Sequence, residues 1–259
     1  LYTDEPVRRI KASMAIMTFP EVRGYVMDDE LRRWVQEEHL EDGTVETYRK
    51  RFQEHPARLL VIDEFLVDEV AEKLSRFLSD EAEYREEFGI YSTEGAVAPD
   101  RYERAEEDDR FFRLSRLEGI PDEHRFSPNA MAYLKLRQAF QRPAFESYFQ
   151  QLTGLSLGSS DDFGTHRMRT GDYLKAHSDD NKDRRLALVM YLTPGWRREY
   201  GGSLHMIDAA GHETTVAATY NSIVLFDVLA ESTHFVAPVE AAAGDTARLT
   251  IGGWYHRAD

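Results

Sequence analysis

Nine histidines and no cysteine delimit the chemistry open to this chain of 259 residues. Without thiols there is no disulfide, no thiol nucleophile, no cysteine-ligated zinc and no iron–sulfur cluster, so a bound metal has to be held by His, Asp or Glu. Two histidines begin a His-x-carboxylate pair, His39-Leu-Glu41 and His177-Ser-Asp179. Residues two apart point to nearly opposite sides of a helix but share one face of a strand. His39 lies in a segment patterned as helix, which makes its pair solvated surface. His177 lies at a strand end, so its imidazole and the Asp179 carboxylate can meet one ion.

Two histidines and one carboxylate on one side of a metal, with the other side open, form a recurrent geometry for non-haem Fe(II) that activates oxygen. The second histidine has to come from further along, and His205, His212, His234 and His256 are the candidates. His205 sits mid-strand in Gly-Gly-Ser-Leu-His-Met-Ile, where a lone histidine can be a satisfied sheet residue. His212 sits in Ala-Gly-His-Glu, a hairpin tip. His234 follows the apolar run Ser222–Asp227 and a short polar turn, and Arg248 follows it by 14 residues in Ala247-Arg-Leu-Thr-Ile251. An arginine on an otherwise apolar strand demands an anionic partner, since burying an unpaired guanidinium is expensive. That partner is either a structural carboxylate or a co-substrate carboxylate gripped by two hydrogen bonds.

The elements that must position these residues divide the chain in two. Residues 1–57 are charge-rich, and Asp28 to Gln53 carries Leu31, Trp34, Val35 and Leu40 among many Glu and Arg, as one or two amphipathic helices do. This predicts an N-terminal helical extension over 1–57, followed by a domain over 58–259. Arg58 to Asp63 reads as a strand, Glu64 to Leu78 as a helix, and Pro128 to Leu155 as helix again. Residues 81–121 mix acidic and aromatic side chains with no sustained period, which predicts an irregular or partly helical insertion that acts as a lid. From Asp162 onward, short runs separated by Gly, Pro, Asn and Asp predict eight strands: 164–169, 173–178, 185–193, 203–208, 213–217, 222–227, 234–239 and 247–256. That texture belongs to an all-β core, a sandwich or double-sheet barrel, with flanking helices (α+β).

Composition excludes other classes. The apolar content, 42%, is enough for a substantial core, which argues against disorder. With 47 Asp and Glu against 32 Lys and Arg, the formal charge is −15, a field that repels phosphate backbones, so no nucleic-acid partner is expected. The longest apolar runs, Leu186 to Leu192 and Ile223 to Phe226, are too short to span a bilayer. Neither a membrane segment nor a secretory signal is seen, and a cytoplasmic location is expected.

The ordered set of motifs resembles the iron(II)/2-oxoglutarate-dependent dioxygenases, specifically the prolyl 4-hydroxylase-like branch. The resemblance runs from about Arg167 to His256, with weaker echoes at Leu59-Leu-Val-Ile-Asp-Glu-Phe-Leu66. Gly171-Asp-Tyr-Leu-Lys-Ala-His-Ser-Asp179 is similar to the family's approach to its His-x-Asp motif. Leu186 to Thr193, then Trp196 and Gly201-Gly-Ser-Leu204, resemble its next two strands, and His234 and Arg248-Leu-Thr250 complete the order. The resemblance implies a double-stranded β-helix, a cupin-like jelly roll. It implies His177, Asp179 and His234 as iron ligands and Arg248 as the partner of the distal carboxylate of 2-oxoglutarate. Tyr191 matches a tyrosine that adds a hydrogen bond to that carboxylate, and Thr250 shares the strand face of Arg248. Tyr173 sits one position from the family's tyrosine before His-x-Asp. Trp254 reads as packing, Tyr255 as lining the site or filling the barrel, and Arg169 as facing either a substrate anion or solvent.

The implied activity consumes 2-oxoglutarate and O2, yields succinate and CO2, and hydroxylates an unactivated C–H of an amino acid, a peptidyl residue or a natural-product intermediate. Fe(II), 2-oxoglutarate and O2 are the implied cofactors and co-substrates, and the partner is a small-molecule or peptidyl substrate. The competing class is a non-catalytic cupin-like binding or interaction module, which keeps the barrel but has no need of Arg248 together with the triad.

Overall fold

The computed structural model describes residues 29–181 and 183–258, so residues 1–28 of the expected N-terminal extension lie outside the described part. Thirteen antiparallel strands join into one sheet that bends almost into a closed barrel. They are β1 (Leu59–Ile62), β2 (Glu83–Ile90), β3 (Ala96–Val97), β4 (Arg110–Gly119), β5 (Leu157–Gly158), β6 (Phe163–Met168), β7 (Tyr173–His177), β8 (Arg184–Tyr191), β9 (Leu204–Ile207), β10 (Glu213–Val216), β11 (Ser222–Asp227), β12 (Thr233–Val236) and β13 (Arg248–Arg257). Five α-helices accompany them: α1 (Asp42–Glu54), α2 (Asp68–Arg76), α3 (Pro99–Arg104), α4 (Pro128–Phe140) and α5 (Pro143–Thr153). None of the described helices is long and apolar enough to cross a membrane.

The strand order β1-β11-β8-β13-β6-β4-β7-β12-β9-β10 places a larger sheet, β1 to β6 in that order, opposite a smaller one, β7-β12-β9-β10. Strand β4 joins them, pairing Ser115 and Arg116 with Arg167 and His166 of β6, and Phe112 and Arg113 with Leu174 and Tyr173 of β7. This is the double-stranded β-helix with flanking helices.

β1, β8 and β11 of the larger sheet are buried on both faces, which is why they are nearly continuous apolar runs. On β8, Leu186, Leu188 and Met190 pack with the helices, whereas Ala187 and Tyr191 belong to the cluster inside the barrel. The same alternation separates Ile223 and Leu225 from Val224 and Phe226 on β11. On β13, Leu249, Ile251 and Tyr255 face the helices, so Arg248, Thr250 and Trp254 face inward.

Local chemistry sets the helix boundaries. Ser127 caps α4 by accepting from Ala130 N at 2.9 Å, and Pro143 opens α5, which splits the segment predicted as one helix into two. Gly154, at φ 75°, ends α5 in the left-handed region. Phe145, Phe149 and Leu152 of α5 and Ala71 and Leu74 of α2 lie in the same core as Leu31, Val35 and Phe52. The N-terminal segment is therefore packed onto the barrel from Leu31 on.

One expectation is corrected. Residues 81–121 are not irregular: β2 and β4 form a long hairpin with α3 near its turn. Its strands lack clean apolar alternation because ion pairs, both across and along the strands, hold the face that carries Glu87 and Arg116. Arg116 lies 3.2 Å and Arg85 3.1 Å from Glu87, and Arg85 lies 3.5 Å from Glu118.

Gly253 marks a tight crossing of two backbones. A Cβ there would meet the carbonyl oxygen of Asp162 at 2.3 Å and Cα of Phe163 at 2.7 Å. Gly253→Ala should lower the unfolding free energy by about 1–3 kcal/mol through overpacking. Gly43→Ala, in α1 with no neighbour within 4 Å, should raise it by up to about 1 kcal/mol. Urea denaturation of the two variants checks the contrast; equal midpoints would refute it.

Candidate active site

The inward residues of β6, β13 and β8 lie in rows set by strand register. Arg248 is opposite Met168, and Thr250 lies between His166 and Tyr191. Gly252 lies between Gly164 and Val189, and Trp254 is opposite Ala187. Across from them, β7 and β12 bring His177 and His234 into register. The two sheets enclose a cavity of about 300 Å³ lined by all of these residues, together with Asp179 and Phe226.

The nitrogen and oxygen donors of His177, Asp179 and His234 all lie within 4.8 Å of one another. The imidazole Nε2 atoms of His177 and His234 are each 3.5 Å from an oxygen of Asp179, and the two rings lie 4.2 Å apart by centroid. His177 Nδ1–H donates to the Lys175 carbonyl at 2.9 Å, which leaves the Nε2 lone pair facing the cluster. Trp254 Nε1–H donates to Asp179 Oδ2 at 2.9 Å. Burial alone would push the Asp179 carboxyl up, but the neighbouring His177, His234 and Trp254 N–H outweigh it and hold it below the ordinary carboxylate value. Burial pushes His234 down to about 4, Asp179 partly offsetting and His177 adding to the effect. Two imidazoles and one carboxylate are a donor set suited to a divalent transition metal.

At the other end, Arg248 is 4% exposed. Its Nη1 donates only to the sulfur of Met168, at 3.4 Å, a weak acceptor. Its Nε has no partner, and neither has the buried hydroxyl of Tyr191, whose ring centroid is 4.8 Å from the guanidinium carbon. Thr250 is buried beside them. Orphaned donors of this kind are rare in folded proteins and mark a place made for a ligand. Their charge and fork geometry fit a carboxylate.

The other candidates lie elsewhere. Tyr173 does not line the cavity: its hydroxyl shares a 2.7 Å hydrogen bond with that of Tyr102 on α3, so the site is reached by Leu174 and His177 of β7 without it. Arg169 is exposed. Tyr255 faces the helices and donates to the Phe140 carbonyl at 2.6 Å. His205 pairs with Glu213 at 2.6 Å and stacks on Phe235, His212 bonds Asp208, and His256 bonds Ser160. His39 is not solvated surface. It is buried against Phe65, donates from Nε2 to the Glu64 carbonyl at 3.2 Å and accepts at Nδ1 from Tyr48 at 2.8 Å.

Several cavity residues escaped the sequence reading as site residues, among them His166, Phe111, Phe112, Glu87 and Arg116. Inward alternation from Arg248's partner strand would have found His166 two positions before Met168. The two phenylalanines depend on the hairpin.

A cluster able to hold a metal and a buried cation without an anionic partner lie at opposite ends of one barrel cavity, the arrangement that a non-haem iron oxygenase using an organic acid would need. The comparisons agree. Residues 163–256 match the family described as the 2OG-Fe(II) oxygenase superfamily. The mouse (Mus musculus) prolyl 3-hydroxylase OGFOD1 is 30% identical over 118 residues, covering 43% of this chain and 21% of that protein. The Drosophila melanogaster prolyl 3-hydroxylase sudestada1 is 35% identical over 98 residues, covering 33% and 18%. The chain thus spans about a fifth of these curated relatives. Among solved structures, a Pseudomonas putida prolyl-4-hydroxylase superposes with TM-score 0.52 at 20% identity, covering 83% of this chain and 99% of that one. A Trichoplax adhaerens prolyl hydroxylase superposes with TM-score 0.54 at 14% identity, covering 92% and 94%. Residues 163–256 are thus similar to the 2OG-Fe(II) oxygenase superfamily, and the barrel shares its fold with these prolyl hydroxylases.

Protonation gives a test of the site as built. His166, like His234, is pushed down to about 4, by burial first and then by Arg116 and Arg248. A histidine whose folded pKa lies below its unfolded value contributes stability above about pH 6.5 that is lost as pH falls towards 4, because the unfolded chain takes up the proton first. The metal-free protein should therefore weaken over that window. His166→Gln should flatten the slope of urea-unfolding free energy against pH, and an unchanged slope would refute the assignment.

Proposed function

We propose that this chain is an Fe(II)- and 2-oxoglutarate-dependent hydroxylase acting on a residue of a peptide or protein. His177, Asp179 and His234 would hold the iron, and Arg248 with Tyr191 and Thr250 would hold the far carboxylate of 2-oxoglutarate. The observation that carries this reading is the buried Arg248, with an orphaned Nε beside an orphaned tyrosine hydroxyl, in the same cavity as the His-Asp-His cluster. A binding module has no use for an unpaired guanidinium in its core.

When bound, iron and 2-oxoglutarate supply the oxidation, in which O2 and 2-oxoglutarate become succinate and CO2 and one oxygen atom enters the substrate. The protein's part is orientation and dryness. Arg248 fixes one end of the organic acid, which leaves its keto-acid end directed at the cluster. Lys175 holds His177 in the tautomer that offers Nε2. Ala187, Val189, Leu204, Phe226 and Val236 present an apolar wall that excludes water. Phe111 and Phe112 bring the β2–β4 hairpin to the cavity, with Phe111 edge-on to the His177 ring at 5.4 Å. The two rings pack edge to face at 5.4 Å and cover that side of the cavity, so the hairpin takes the role expected of a lid.

A peptidyl substrate is favoured because the relatives are named prolyl hydroxylases and the Trichoplax protein is described in complex with a peptide fragment. The reading includes a cytoplasmic setting and gives nucleic acid and membranes no part.

Incubation with Fe(II), 2-oxoglutarate and O2 should produce succinate. Arg248→Met should raise the dissociation constant for 2-oxoglutarate by about two to nearly four orders of magnitude, the equivalent of about 3–5 kcal/mol for breaking one side of a buried ion pair. Titration of the metal-loaded protein measures it. Unchanged affinity in a folded variant, or no succinate from the wild type, would overturn the proposal.

A further inference from the structure

The free oxygen of Asp179 belongs to a ring of contacts that closes on itself at the cavity mouth. Asp179 Oδ2 accepts from Trp254 Nε1 at 2.9 Å. The guanidinium carbon of Arg184 lies 3.3 Å from the ring centroid of Trp254, a face-to-face contact. Arg184 Nε donates to Asp162 Oδ2 at 3.0 Å and its Nη2 lies 3.0 Å from the same oxygen, and the Asp162 carbonyl in turn accepts from the backbone N–H of Trp254 at 3.0 Å. The close approach at Gly253 is what lets that last bond form.

We infer that Arg184 is a positioning residue for Asp179, acting through the indole of Trp254. The inference rests on the metal reading above. Trp254 sits on the last inward row of β13 with only Ala187 opposite it in β8, too small to hold a bicyclic ring by packing. Arg184 supplies the missing face. Its flat guanidinium covers the indole while its edge is anchored by Asp162, so the ring cannot rotate and its N–H stays aimed at Asp179. That hydrogen bond engages Oδ2, which also lies 3.5 Å from His234 Nε2, and leaves Oδ1, 3.5 Å from His177 Nε2, without the indole donor. Asp179 thereby offers one oxygen to a metal. Partners of this kind, one shell beyond the ligands, alter metal affinity by 10- to 100-fold.

A lysine at 184 would keep the charge but lacks the planar fork that stacks and grips at once. This separates the indole route from direct attraction, since Arg184 Nη1 also lies 3.8 Å from Asp179 Oδ1.

The test is Mn(II) affinity, read from the electron paramagnetic resonance signal of free Mn(II) during titration of the purified chain, with urea midpoints to show that each variant is folded. Trp254→Phe keeps the platform and removes the donor, and should raise the Mn(II) dissociation constant by about 10-fold or more. Arg184→Gln and Arg184→Lys should each raise it by about 3- to 10-fold, and the double variant Trp254→Phe/Arg184→Gln should be no worse than Trp254→Phe alone. Wild-type affinity in Arg184→Lys would overturn the inference in favour of direct charge. Multiplying effects in the double variant, or single variants that bind as the wild type does, would overturn it outright while the iron reading stands. A wild-type chain that binds no Mn(II) would overturn both.

Discussion

A single buried cation constrains the rest of the molecule. Arg248 occupies an inward position on a strand whose other face is packed against helices, and within the barrel it finds a sulfur and a tyrosine ring but no carboxylate. Placing it there costs several kcal/mol before any ligand arrives. The offset comes from the opposite face of the same sheet. Leu249, Ile251 and Tyr255 of β13, with Leu186, Leu188 and Met190 of β8, are buried under Phe140, Phe145 and Phe149, at about 1.5–3 kcal/mol for each large side chain removed from water. The helices are thus a condition of the site even though none of their residues forms the metal cluster.

That division of labour explains which parts of the chain were legible in its sequence. Strands buried on both faces, as β8 and β11 are, must be apolar along nearly their whole length, and turn formers separate the shorter mixed strands around them, so β6 to β13 stand out from about residue 162 onward and lie within a few residues of their expected positions. His177 and Asp179 were legible for a related reason: a period of two on a strand puts both on one face. Against an apolar background, Arg248 was conspicuous.

What stayed hidden was held by partners distant in sequence. The β2–β4 hairpin replaces apolar alternation with ion pairs such as Arg116 to Glu87, and a charged strand looks like a loop until its partner is known. His39 carries no local sign of burial, because the groups that satisfy it, the Tyr48 hydroxyl and the Glu64 carbonyl, lie 9 and 25 residues away. Tyr173 was misplaced for the opposite reason. Its neighbours suggested the site, but the strand sends it outward to Tyr102, on a helix whose place could not be known without the hairpin.

The charge distribution follows the same logic of distance. A formal charge of −15 repels a dicarboxylate at long range, yet the cavity places a guanidinium where that anion would end. Long-range repulsion is screened within about 8 Å at physiological ionic strength, whereas a buried pair is screened far less. Net charge therefore governs approach, and Arg248 governs retention. The two ends of the cavity also carry opposite signs, Arg248 at one and the ionised Asp179 at the other, so an anion is drawn past the cluster to the guanidinium unless a cation at the cluster reverses the local field. A divalent ion there would do so, and would let one molecule with a negative group at each end be held at both. Cation and dianion are thus coupled through the electrostatics of one small cavity, and each makes the other's site more favourable.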